Sequence, residues 1–216
     1  MCWRCLDYID TLPPILKDRP EVQEQRLLAL AKETGPEEAI AHLEELIQTF
    51  GATSERYGLI GGRYKQLYRA AHKAGETQKE NYYLGQAIKA YTQGMHQDLN
   101  DYYPTCNLPQ LLKARGNPED GAMAEFTAHL TIQACKRAIA LKQDNEWTKA
   151  TLLGAAFDTE NLDEATRWVT EVENSSPTEW QLNSTLDDLR QRITYIQDGG
   201  KRTAFESLIE RLDSLL

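Results

Sequence analysis

Apolar residues recur along this chain at steps of three and four, the spacing that lines them up on one face of an α-helix. Over 36–50 the stripe is Ala39, Leu43, Leu46, Ile47 and Phe50, and over 179–196 it is Leu182, Leu186, Leu189, Ile193 and Ile196. Phe205, Leu208, Ile209, Leu212 and Leu215 predict a last amphipathic helix, a C-terminal cap within 197–216. Between the stripes stand residues that start or stop helices: Pro13-Pro14, Pro20, Gly35-Pro36, Gly51, Gly75, Pro104, Gly116-Asn117-Pro118, Asp144-Asn145, Ser176-Pro177 and Gly199-Gly200. Valine occurs only at Val22, Val169 and Val172, whereas Leu, Ala, Glu, Gln and Lys abound. Strands favour β-branched residues and helices the straight-chain set, so the chain is expected to be all-α.

Helices in pairs call for a search for repeats. Tyr57, Ile60-Gly61 and Tyr64 have the spacing of the first helix of a tetratricopeptide (TPR) repeat, and Ala87, Tyr91 and Gly94 that of its second helix. Leu153-Gly154 and Phe157, followed by Ala165, Val169, Val172 and Pro177, form the most complete unit. A third unit reads Tyr103, Cys106-Asn107, then Ala134, Ala138 and Leu141, and a fourth, upstream, reads Leu28-Ala29, then Ala39, Leu43 and Leu46. In this pattern small residues let two helices approach and large ones fill the space between pairs. Gly61, Asn107 and Gly154 are 46 and 47 residues apart, longer than the usual period of about 34. The excess falls between the two helix signatures, as from Tyr64 to Ala87. The expectation is a right-handed, TPR-like helical-hairpin solenoid with lengthened repeats over 20–196, after an N-terminal segment at 1–19.

"ERYGLIGGRYKQLY" and the following "NYYLGQAIKAYTQGMHQDLNDYYPTCNLPQLLKARG" resemble the TPR-like central regulatory region of the apoptosis signal-regulating kinases. This region is also called the MAP3K TRAFs-binding domain and has bacterial relatives. The resemblance spans roughly 20–196 and is most specific at 55–116. It implies a scaffold that recruits a partner. Kinase activity is not implied, because the HRD and DFG motifs and a glycine loop in a strand context are missing.

Charge narrows the partners. The 216 residues carry a net charge of −9, which disfavours nucleic acid, since affinity for phosphate backbones rests on clustered Lys and Arg. No apolar run has the length to cross a bilayer, and "MCWRCLDYID" lacks the apolar core of a secretory signal, so a cytoplasmic location is expected. Cys2 and Cys5 form a CxxC, but no second CxxC or paired-His motif follows to complete a zinc site, and no strand pattern precedes it as in redox pairs. His42, His72, His96 and His129 form no metal-binding spacing, and no GxSxG elbow is present. No metal, cofactor or catalytic group is therefore expected. The acid pairs Glu37-Glu38 and Glu44-Glu45 read as solvated helix surface.

Two segments remain as candidate sites. "YGLIGGRYKQLY" (57–68) looks like a phosphate loop, yet its glycines miss the Walker spacing and no hydroxyl follows the lysine. Its glycines suit helix contact instead, while Arg63, Lys65 and Arg69 are candidates to face a partner, with an acidic or phosphorylated ligand as the matching chemistry. In "DLNDYYPTCNLP" (98–109), Asp101, Tyr102 and Asn107 are candidates for a polar-aromatic rim. The expected function is non-catalytic: a protein-interaction scaffold binding a partner peptide or domain in a concave groove, in stress or defence signalling. The alternative is a regulatory module that senses a small ligand or nucleotide through 57–69 and 98–109. The expected partner is a protein, either of another kind or a second copy in a homo-oligomer.

Overall fold

A computed structural model describes residues 3–216, the side chains of 3–5 and of Pro20 excepted. Among the described residues all regular structure is helical, in line with the all-α, TPR-like expectation. The CxxC at Cys2 and Cys5 lies outside what is described. Two compact units divide the chain, Met1–Asp98 and Leu99–Leu216, so the boundary falls inside the span read from sequence as one array.

The first unit contains α1 (Trp3–Thr11), α2 (Pro14–Lys17), α3 (Pro20–Glu33), α4 (Pro36–Phe50), α5 (Ser54–Ala74) and α6 (Thr77–Gln97). Its helix boundaries follow from local chemistry. Pro36 opens α4, where a proline has no N–H to lose. The Thr53 side chain accepts from the Arg56 amide to cap α5, and Gly75 closes α5 in the left-handed conformation at φ +70°. The helices α5 and α6 are 21 residues each, about 31 Å, and form a hairpin that packs along its length. Gly61 makes the approach possible, because a Cβ there would stand 2.8 Å from the Tyr91 ring. α4 packs on α3 and on α5, and Ala39, Leu43, Leu46, Ile60, Leu67 and Ala90 share one buried cluster. Arg56, 7% exposed, ties the unit together. Its guanidinium donates to the carbonyls of Phe50 (3.0 Å) and Gly51 (2.6 Å) and pairs with Glu24 on α3.

The second unit contains α7 (Tyr102–Thr105), α8 (Leu108–Arg115), α9 (Asp120–Ala140), α10 (Thr148–Asp158), α11 (Leu162–Asn174), α12 (Glu179–Arg192) and α13 (Gly199–Asp213). The pair read as the most complete repeat is α10 and α11, and Leu153, Phe157, Ala165, Val169 and Val172 are buried there. The helix α13 packs on α11 and α12, with Phe205 edge-on to Phe157 at 4.6 Å. Gly154 is small for a different reason than expected. Its neighbour is the guanidinium of Arg192, whose Nε would lie 3.1 Å from a Cβ at 154. Arg192 is buried; it pairs with Asp158, donates from Nε to Asp188 at 2.7 Å and from Nη2 to the Cys106 carbonyl at 3.0 Å.

The third repeat differs from its reading. Its first helix is broken into α7 and α8 around Cys106 and Asn107. In its second helix Ala134 is buried, but Ala138 is half-buried and Leu141 is 48% exposed. The buried seam of α9 is Ala124, Thr127, Ala128, Thr131, Ala134 and Cys135. The threonines tolerate this because each hydroxyl donates back to the preceding turn, Thr127 to the Met123 carbonyl (2.8 Å) and Thr131 to the Thr127 carbonyl (2.9 Å). Leu215 likewise departs from its stripe at 49% exposed, beyond the end of α13. The helix read over 179–196 ends at Arg192 and continues as one 3₁₀ turn over Ile193–Tyr195.

Candidate functional site

In the first unit α4, α5 and α6 enclose an open hollow of about 400 Å³, within the range of ligand-binding clefts. The long α5–α6 hairpin and the neighbouring α4 create it, each presenting residues at helical spacing. α4 contributes Glu44, Ile47 and Gln48, α5 contributes Tyr57, Ile60 and Tyr64, and α6 contributes Gln86, Lys89, Ala90 and Gln93. Ile60 and Ala90 are buried and belong to the core cluster, and Ile47 packs against it. The rest of the lining is polar: three primary amides, two phenols, one carboxylate and one ammonium. Among the described residues none of these seven side chains takes part in a hydrogen bond or ion pair within the chain. They are held at the root by rigid helices and left open at the tip.

The Tyr64 phenol is raised above its ordinary pKa, first by burial and then by the nearby Tyr82, Glu44 and Tyr83. It is therefore a neutral donor and acceptor at physiological pH. Glu44 and Lys89 give the lining one charge of each sign. Amides and phenols that both donate and accept match groups with the same dual character, the peptide bond above all. No nucleophile–base pair is found around the hollow, and among the described residues no cluster could hold a metal ion.

The segment 57–69 reaches this hollow through Tyr57, Ile60 and Tyr64, on one face of α5. Its basic residues are placed otherwise. Arg63 donates from Nη2 to the Ala31 carbonyl of α3 at 3.0 Å. Lys65 is 9% exposed, and Arg69 is exposed. Asp101, Tyr102 and Asn107 belong to the second unit. Asp101 caps α7 by accepting from the Tyr103 amide at 2.9 Å. The Tyr102 hydroxyl donates to Asn145 at 2.7 Å and contacts the Thr148 hydroxyl at 3.1 Å. Asn107 donates from its amide to the Tyr103 carbonyl at 2.9 Å. The six candidates thus fall three in each unit, and the three on α5 do not share one face of that helix.

The sequence reading missed Glu44, Gln48, Gln86, Lys89 and Gln93. A signal existed on α6, where Gln86, Lys89 and Gln93 recur at steps of three and four. That spacing also describes any solvated helix face, and only the neighbouring α4 and α5 turn it into a wall. Glu44 was read as surface for the same reason.

The helical-hairpin repeat fold is that of the TPR-like repeat modules, which generally bind other proteins. Residues 3–112, half of the chain, match the family described as Tetratricopeptide Repeats-Sensor. The chain belongs to that family. No curated protein and no solved structure matches it. No helix among the described residues is long and apolar enough to cross a membrane.

Proposed function

We propose that the chain is a non-catalytic recognition module that binds a segment of a partner protein in the hollow between α4, α5 and α6. The observation that carries this reading is the set of seven polar side chains around the hollow that make no hydrogen bond or ion pair among the described residues. Three glutamine amides can bracket an extended backbone by donating to its carbonyls and accepting from its N–H groups. The resemblance to the central regulatory region of the apoptosis signal-regulating kinases supports a scaffold in stress or defence signalling. Arg63, Lys65 and Arg69 on other faces of α5 and, separately, Asp101, Tyr102 and Asn107 of the second unit remain candidate partner contacts. The test is affinity selection of a random peptide library on the full chain. Enrichment that is lost in the Gln86→Ala/Gln93→Ala variant supports the reading. Enrichment unchanged in that variant moves the site elsewhere.

A second reading, a small-ligand sensor, is favoured by the family's description as a sensor and by the size of the hollow. One ammonium and one carboxylate suit a ligand with little net charge better than a nucleotide, whose phosphates call for several cations. Thermal-shift screening separates the two readings. A rise in Tm with a metabolite, abolished by Gln86→Ala, supports the sensor.

A further inference from the structure

At one end of the hollow three tyrosines adjoin. The ring of Tyr64 lies 6.4 Å from that of Tyr83, tilted by 33°, and Tyr83 lies 5.4 Å from Tyr82, nearly edge-on at 63°. Tyr64 and Tyr83 rest on the core of the first unit, whereas Tyr82 is 57% exposed. Glu44 belongs to the same place: it lines the hollow with Tyr64, and its charge acts on the Tyr64 hydroxyl together with Tyr82 and Tyr83. Glu44 has no ion-pair partner among the described residues. Lys79 and Lys89 of α6 are cations of this neighbourhood. Lys79 is held by Glu76 at 2.8 Å and is largely exposed. Lys89 stands six residues along α6 from Tyr83, about 9 Å away along the axis.

Aromatic faces carry negative charge and attract cations, most strongly where water is partly excluded. A carboxylate beside them adds to that attraction. A neutral aromatic or aliphatic group seated here would instead strip water from Glu44 without replacing its hydrogen bonds. A phosphate or carboxylate would meet Glu44 and three electron-rich rings. The net charge of −9 draws cations toward the chain from a distance.

We infer that Tyr64, Tyr82, Tyr83 and Glu44 form a subsite for the cationic side chain, lysine or arginine, of the bound peptide. This rests on the peptide reading of the hollow. The glutamines hold the backbone and this end reads a positive charge, so the expected ligand is a basic rather than an acidic or phosphorylated segment.

The same library selection tests it, run on the full chain and on Glu44→Gln and Tyr82→Ala. Both positions are exposed, so the fold should not depend on them. The expected result is a lysine or arginine shared at one position of the enriched peptides. Preference for it should fall roughly five- to tenfold in each variant, with peptide binding above background retained. Enriched peptides without a basic residue, or a basic preference unchanged in both variants, overturn the subsite and leave the peptide reading standing. No enrichment on the parent chain overturns both.

Discussion

Gly61 of α5 and Tyr91 of α6 are in direct contact: a Cβ on Gly61 would lie 2.8 Å from the Cγ and Cδ1 atoms of the tyrosine ring. Tyr91 is 2% exposed and among the largest fully buried side chains, so its ring has little room to withdraw. Gly61→Ala gains roughly 1 kcal/mol of helix propensity but overpacks the seam, which typically costs about 1–3 kcal/mol. The expected net effect, the difference of the two, is a destabilisation of up to about 2 kcal/mol. Tyr91→Leu in the same chain should recover part of it by freeing space. Denaturant unfolding followed by circular dichroism measures both, and a Gly61→Ala variant clearly more stable than the parent contradicts the contact.

The Gly61–Tyr91 pairing was legible in the sequence, because the TPR spacing couples a small residue on one helix to a large one on the next. The same logic found α3–α4 and α10–α11. It failed where a residue's neighbour comes from outside its own pair. Gly154 has the right spacing, yet its smallness serves Arg192, 38 residues later, and no local pattern announces that. It failed again at Asn107, where a short α7 and a separate α8 replace one continuous helix and Pro104 and Pro109 are both buried. The candidate site was legible in half. Tyr57, Ile60 and Tyr64 fall within the stretch singled out, but the basic residues drew attention to other faces of α5. The polar wall of α6 becomes a wall only once α4 and α5 stand beside it.

Arg192 is the organising charge of the second unit. Its side chain and that of Asp158 are 4% and 3% exposed. Removing one member of such a pair leaves the other buried without compensation, at a typical cost of about 3–5 kcal/mol. Arg192→Met should therefore destabilise the chain by an amount of that order. Arg192→Met/Asp158→Leu, which removes both charges, should be less damaging than the single change. Gly154→Ala supplies an independent check. Its Cβ would crowd the guanidinium, so its cost should shrink in the Arg192→Met background. Equilibrium unfolding of these four variants and of Asp158→Leu alone measures both couplings, and additive costs would refute them.

Asp120 begins α9 and is almost wholly buried, yet it stays charged. The Arg115 guanidinium, donating from Nε at 2.9 Å and also from Nη2, holds its carboxyl below the usual value of 3.8, and the Asn117 amide at 2.9 Å contributes. Burial opposes this but does not prevail. A carboxyl depressed in the folded state adds stability that is fully present above its unfolded pKa and lost as pH falls through its folded one. Asp120 should therefore contribute at pH 7 and fade below about pH 3.8. Asp120→Asn should cost about 1.5–3 kcal/mol at neutral pH. The gap between variant and parent should close on acidification, and unfolding curves recorded from pH 7 to pH 3 read it directly.

Cys106 and Cys135 differ in what their surroundings do to the thiol. Cys135 is fully buried in the seam of α9, and burial, with a smaller effect from nearby Cys106, raises its pKa far above the ordinary thiol value of 9.0. The thiolate is the reactive form, so Cys135 should be inert in the folded chain at pH 8. Cys106 is half-buried, on the Cys106–Asn107 stretch between α7 and α8. Iodoacetamide treatment of the native protein followed by peptide mapping should label Cys106 well before Cys135, and denaturant should equalise the two. The rate at Cys135 then becomes a gauge of how often α9 opens. Arg192→Met removes the guanidinium that holds the Cys106 carbonyl, and should speed labelling at both cysteines. Labelling of Cys135 as fast as Cys106 in the parent protein would show that the α9 seam is open to reagent in the native state.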